Sequence, residues 1–145
     1  MDIVAGTEDE MPRIMEIESE AFYPPWTTGG ILSEIHSERT FFPLAIENNV
    51  ILGFAILKRT TQEEGELLQI AVAKDHRRRG VGDALLRAAL EWADSCGVEI
   101  VHLQVRESNE AAISLYYKYG FLHVGRRKDY YISPTEDALT MERRI

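Results

Sequence analysis

The hydrophobic positions of the chain change period several times, and each change marks an element. Asp2 to Ala5 reads as a short first strand, followed by Thr7-Glu8-Asp9-Glu10, a capping box in which Thr7 caps and Glu10 reaches back. A helix is expected to start there. Met11, Ile14, Met15, Ile17 and Ala21 keep helical spacing as far as Phe22, Pro12 loosens the first turn, and Pro24-Pro25 end the helix. A second, shorter helix is expected from Trp26-Thr27, carrying Ile31, Leu32 and Ile35, with Gly29-Gly30 weakening its start.

Pro43 to Glu47 and Ile51 to Arg59 are apolar runs joined by Asn48-Asn49, a dipeptide that tolerates the positive φ of a tight hairpin, so they are expected to pair antiparallel. Thr60 to Gly65 reads as a polar turn and Glu66 to Ala73 as a long strand. In Val81 to Ser95, Leu85, Leu86, Ala89, Leu90 and Ala93 form one face of an amphipathic helix closed by Gly97. Val98 to Val105 reads as a buried strand, Asn109 to Tyr119 as a helix, and Leu122 to Lys128 and Ala138 to Arg144 as strands. Alternating strands and helices in the second half imply parallel crossovers, whereas the hairpins of the first half imply antiparallel pairing. The sheet is therefore expected to be mixed.

A chain of 145 residues with 45% hydrophobic and 28% charged residues is expected to be one globular domain over 1–145. No apolar run approaches the ~18 residues of a membrane span, and the acidic start is not that of a signal peptide, so a cytoplasmic protein with no membrane partner is expected. The single cysteine, Cys96, reads as packing and excludes a multi-cysteine zinc site; no metal is implied. The formal charge of −8 argues against nucleic acid as the main partner. An acidic body with one basic spot suits an anionic cofactor and a cationic substrate. Monomer and homodimer both remain open.

That basic spot is the turn Lys74-Asp75-His76-Arg77-Arg78-Arg79-Gly80-Val81-Gly82, between an apolar strand and a helix. Its glycines let the backbone approach an anion, and the helix start offers unpaired N–H groups, so it reads as a pyrophosphate cradle. A dinucleotide fingerprint needs Gly or Ala where Leu85 stands, and a nucleoside-triphosphate loop needs Gly-Lys-Ser/Thr where the chain has Gly82-Asp83-Ala84. A solvated basic turn remains the plain alternative. The Arg-x-x-Gly-x-Gly spacing resembles the acyl-CoA signature of the GNAT superfamily of N-acetyltransferases.

A second segment, Val105-Arg106-Glu107-Ser108-Asn109 through Ala112, Tyr116 and Gly120-Phe121, taken alone reads as a capped helix with a packed tyrosine. At this distance behind the cofactor turn it resembles the same superfamily. Ile17-Glu18-Ser19-Glu20-Ala21-Phe22 with Pro25-Trp26, Leu67 to Val72, and Arg126 to Tyr131 with Glu136-Asp137-Ala138 are similar to the RimI branch, which acetylates the N-terminal alanine of a ribosomal protein. The resemblance implies an α/β fold (α+β mixed) with a central mixed sheet of about six to seven strands and about four flanking helices. It also implies acetyl-CoA as donor and a protein or peptide N-terminus, such as that of a ribosomal protein, as acceptor.

Carried over residue by residue, the resemblance implies that Ile70, Ala71 and Val72 bind acetyl-CoA through their backbone. Arg78, Arg79, Gly80, Val81, Gly82 and Asp83 would hold the pyrophosphate, with Arg77 at the loop's edge. Asn109 would contact the cofactor arm, and Tyr116 would bind there and protonate the departing thiolate. Tyr23, Trp26, Tyr130 and Tyr131 would form the acceptor groove. Transfer from a thioester also needs a base for an α-amine whose pKa is about 8, and N–H donors for the carbonyl oxygen. The branch usually has glutamate where this chain has Gln104, and an amide does not accept that proton. Glu66, holding a water, is the first candidate; His102, on Gln104's strand face, is another. Lys118 and Arg87 read as solvated faces, with contact to cofactor phosphates the open alternative for either. A small-amine acetyltransferase and a non-catalytic acyl-CoA sensor are the alternative functions.

Overall fold

The computed structural model describes residues 1–145. After β1 (Asp2–Ala5), the Thr7 box closes, with Thr7 N donating to Glu10 Oε2 at 2.9 Å and Thr7 Oγ1 accepting from Asp9 N at 3.2 Å. It opens a 3-10 turn over Glu8–Glu10, and the α-helix α1 runs Met11–Ala21. Pro12 stands in the first turn of α1, where its missing N–H is not needed, so it starts the helix instead of loosening it. The second helix, α2 (Thr28–Ile35), is capped by Thr27, whose Oγ1 accepts from Gly30 N at 3.0 Å.

β3 (Pro43–Glu47) and β4 (Val50–Arg59) form the expected hairpin, with Asn48 and Asn49 at φ 53° and 64°. A strand of two residues, β2 (Thr40–Phe41), also lies on β4; it is too short to show a period. β5 (Glu64–Val72), α3 (Val81–Ser95), β6 (Ile100–Arg106), α4 (Glu110–Lys118), β7 (Leu122–Tyr131) and β8 (Glu136–Arg144) complete the chain. β7 and β8 are longer than expected because polar residues continue their hairpin to Tyr131↔Glu136.

The 8-stranded sheet has the order β1-β3-β4-β5-β6-β8-β7, with β2 on β4 beside β3. It is mixed, as expected, and larger by the short strand. The crossover through α3 joins the parallel neighbours β5 and β6. The crossover through α4 does not join neighbours, because β8 lies between β6 and β7, antiparallel to both. One apolar cluster sits under α3 and α4, including Leu86, Leu90, Leu103 and Phe121, and another sits under α1 and α2, including Ile14, Ile17, Ile31 and Phe54. No helix is long and apolar enough to cross a membrane.

Gly53 shows how closely β4 holds β5. A Cβ there would lie 2.6 Å from the Ala71 carbonyl oxygen, so any side chain displaces the β5 backbone. Gly53→Ala is expected to lower stability by about 1–3 kcal/mol in urea unfolding. Unchanged stability would show that β5 yields freely.

Candidate active site

β5 and β6 pair only at Glu64↔Ile100, Gly65↔Val101 and Glu66↔His102. Beyond that point β5 stays on β4 as far as Gly53↔Val72, and β6 stays on β8 as far as Arg106↔Ala138. The strands therefore part, and a cavity of about 570 Å³ opens between them. At its mouth the β4–β5 register slips, Ile56 facing Gln69 and Leu57 facing Leu67, which leaves Leu68 as a bulge.

The parting exposes backbone. Ala73 N donates to Leu52 O at 2.7 Å, so by antiparallel alternation Ala71 also bonds toward β4, while the N–H and C=O of Ile70 and Val72 face the open edge. Consistent with this, Val72 O accepts from Arg77 Nε at 3.3 Å. Past β5 the chain turns through Arg78 and Gly80, at φ 63° and 78°. Gly80 precedes α3 without a side-chain cap, and the first helical bond is Ala84 N to Gly80 O, 3.0 Å, so the N–H groups of Val81, Gly82 and Asp83 are free. Free donors at a helix start form an anion site, and this one fits a pyrophosphate.

The side chains of the loop are arranged less simply. Arg79 turns away from the helix start to Glu47, at 2.8 Å. Asp83 is held below its usual carboxylate range first by its hydrogen bond from Lys118, then by that from Tyr119. Arg87 also reaches Asp83, at 3.2 Å, so Lys118 and Arg87 are not merely solvated; they neutralise an acid at the anion site.

The other expected site residues converge on the cavity except Val72, which does not line it, and Ala71, whose backbone was expected at the donor and instead bonds to β4. Ile70, Glu66, Gln104, Asn109 and Tyr116 line the cavity, as do Tyr23, Trp26, Tyr130 and Tyr131. Residues 77–83 do not; they lie beyond the end of β5. Asn109 caps α4, its Oδ1 accepting from Ala112 N at 3.2 Å, and it also lines the cavity. Tyr116 is 5% exposed, and burial raises its pKa, keeping the hydroxyl protonated. Burial likewise pushes Tyr131 up to about 12. Gln104 Oε1 accepts from the Thr140 hydroxyl at 2.7 Å, which leaves its NH₂ group for the cavity. His102 is engaged elsewhere, Nε2 at 3.1 Å from Glu64 and Nδ1 at 3.2 Å from Glu142. Cys96 lies on a separate depression of about 430 Å³, with its thiol turned to Ala93 O at 3.6 Å, in keeping with packing.

Two residues given no role from the sequence also line the cavity, and a third, Glu18, holds one of its walls from behind. Arg106 lines the cavity at the end of β6, and only its place in the Val-Arg-x-x-Asn run marked it. Gln69 lines the cavity with its Oε1 unpartnered. Glu18 is fully buried on α1, one turn from Ile14, and its Oε2 accepts from Trp26 N at 2.9 Å. A carboxylate at an apolar position was the available signal for it.

The sequence profile described as "Acetyltransferase (GNAT) family" matches residues 11–121. The chain belongs to this family. It is an N-acetyltransferase, and its donor is acetyl-CoA. Among curated relatives of this GNAT chain, "[Ribosomal protein bS18]-alanine N-acetyltransferase" of Haemophilus influenzae is 38% identical over 145 residues, covering 97% of each chain. The Escherichia coli protein of the same name is 35% identical over 97% of this chain and 96% of its own. The crystal structure of the ribosomal-protein-S18-alanine N-acetyltransferase from Escherichia coli superposes with a TM-score of 0.92, at 33% identity, covering 99% of this chain and 93% of that one. Ard1 from Thermoplasma volcanium superposes at 0.90, at 27% identity, covering 99% and 97%.

Burial raises the Glu18 carboxyl above its ordinary 4.5. A raised folded pKa gives stability that is full below the unfolded value and is lost as pH rises through the folded one. Glu18→Gln keeps an acceptor for Trp26 N and removes the buried charge. Its stability relative to the native chain is expected to rise as pH increases above 4.5, measured by urea unfolding across pH; a pH-independent difference would contradict this. Glu18→Ala is expected to cost about 1–3 kcal/mol.

Proposed function

We propose that the chain acetylates the N-terminal α-amine of a protein, with an alanine-led ribosomal protein as acceptor. The carrying observation is that one cavity joins an open strand edge at Ile70, a protonated Tyr116 and two aromatic acceptor walls. The high-coverage relatives named for bS18 alanine acetylation support the choice of acceptor. A cytoplasmic, single-domain enzyme follows from this reading.

When bound, acetyl-CoA supplies an activated acetyl thioester. The free N–H groups of Val81, Gly82 and Asp83, with Arg78 and Arg77 beside them, hold its pyrophosphate; Arg79 serves through its backbone, since its side chain is committed to Glu47. Ile70 and Val72 pair with the pantetheine arm, an N–H of this strand polarises the thioester carbonyl, and Asn109 steadies the arm. Tyr23, Trp26, Tyr130 and Tyr131 hold the acceptor, and the free NH₂ of Gln104 donates to an acceptor carbonyl. Glu66, through a water, takes the amine proton, the N–C bond forms, and the C–S bond breaks. Tyr116 gives its proton to the departing sulfur and regains one from solvent, to which Glu66 releases the proton it took.

Initial rates with an alanine-led ribosomal peptide are expected to exceed those with free polyamines and amino sugars. Turnover of free amines alone would overturn the acceptor. Tyr116→Phe is expected to lower kcat by about 10²-fold or more while leaving the KM for acetyl-CoA near its native value. Glu66→Gln is expected to remove the acidic limb of the pH–rate profile, the rise that follows deprotonation of the base; an unaltered profile would exclude Glu66 as the base. Gln104 alone favours a binding module, and acetyl-CoA binding with no turnover of any amine would establish that reading.

A further inference from the structure

We propose that Arg106 is the positioning residue that assembles the acceptor cleft, clamping its two walls against each other. The aromatics assigned to the acceptor lie on two segments, the loop between α1 and α2 and the hairpin between β7 and β8. No hydrogen bond joins these segments directly; Arg106 is bonded to both. Its Nη2 donates to Tyr23 O at 3.3 Å on the first and to Ile132 O at 3.0 Å on the second. Its Nη1 donates to Pro134 O at 3.0 Å and to Glu136 Oε1 at 3.1 Å. The guanidinium also lies over the Tyr131 ring, 4.5 Å from the centroid.

Three of these acceptors are backbone carbonyls, so the clamp fixes the path of each wall and not the identity of its side chains. One nitrogen, Nη2, bonds both walls while the other, Nη1, fixes the guanidinium to Pro134 and Glu136, and a lysine ammonium, a single nitrogen with three donors, cannot make all four bonds. The clamp has a fixed base. Arg106 is the last residue of β6, paired with Ala138, and the second oxygen of Glu136 accepts from Ser108 N at 2.7 Å, just before the Asn109 cap of α4. The side chain is 24% exposed, so its bonds are partly shielded from water. The same guanidinium therefore sets the separation of Tyr23 from Tyr131 and ties both to the helix start that faces the donor. It acts on the reaction through these walls.

The assignment rests on the acceptor being a peptide N-terminus, and the test separates the two claims. Arg106→Lys and Arg106→Met are compared with the native chain by steady-state kinetics and by hydrogen–deuterium exchange. The KM for an alanine-led peptide is expected to rise roughly tenfold in Arg106→Lys and further in Arg106→Met, as for loss of a charge-assisted hydrogen bond. The KM for acetyl-CoA is expected to change less than about twofold, because the donor edge is untouched. Exchange is expected to quicken in both 22–27 and 131–136 while 77–83 keeps its native rate. An unchanged peptide KM, a parallel rise in both KM values, or faster exchange throughout the chain would overturn the clamp. The exchange measurement needs no acceptor, so native protein that uses only free amines, with both walls loosened in the variants, would overturn the peptide reading and uphold the clamp.

Discussion

The site depends on β5 and β6 being unable to close. Each strand is tied along its length to a different neighbour, β5 to β4 up to Val72 and β6 to β8 up to Arg106. Joining them beyond Glu66 would break one of those ladders, and every broken pair would leave buried backbone groups without partners. The Leu68 bulge turns β5 where the pairing ends. Tyr116 packs beneath the gap, its ring 5.7 Å from that of Phe121. The result is an edge strand that is interior, polar and shielded on both sides.

This constraint separates the two halves of the reaction. In the proposed reading the donor side works through backbone, at Ile70, Val72 and the uncapped start of α3. Charge there is balanced: Arg79 is spent on Glu47, and Lys118 and Arg87 on Asp83, so an incoming pyrophosphate meets N–H groups more than free arginines. The aromatics proposed for the acceptor stand on two segments that the sheet does not pair. These need separate anchors, which Glu18 and Arg106 provide from α1 and β6. A buried carboxyl and a guanidinium fork are costly features in a chain this small, and both bond to the backbone of the acceptor walls.

Much of this was legible in the residue pattern because it is local. The bounds of α3, the hairpin at Asn48-Asn49 and the free helix start at Gly80 each follow from a few adjacent residues. The insertion of β8 between β6 and β7 was not legible, since it rests on pairing between distant segments such as Val101↔Arg143. Nor could spacing tell where an arginine points once the chain has turned: Arg79 was expected at the anion site and lies on Glu47, while Arg106, inside a recognised motif, carried no expected role. His102 shared a face with Gln104 as alternation required, yet Glu64 and Glu142 occupy both its nitrogens.

The parted edge of β5 is the backbone partner proposed for the donor. Residue-resolved amide exchange with and without acetyl-CoA tests it most directly. The N–H groups of Ile70, Val72, Val81 and Gly82 are predicted to gain protection, while Ala71, already bonded toward β4, is predicted to change little. Saturating acetyl-CoA that leaves Ile70 and Val72 at their unliganded rates would contradict the account.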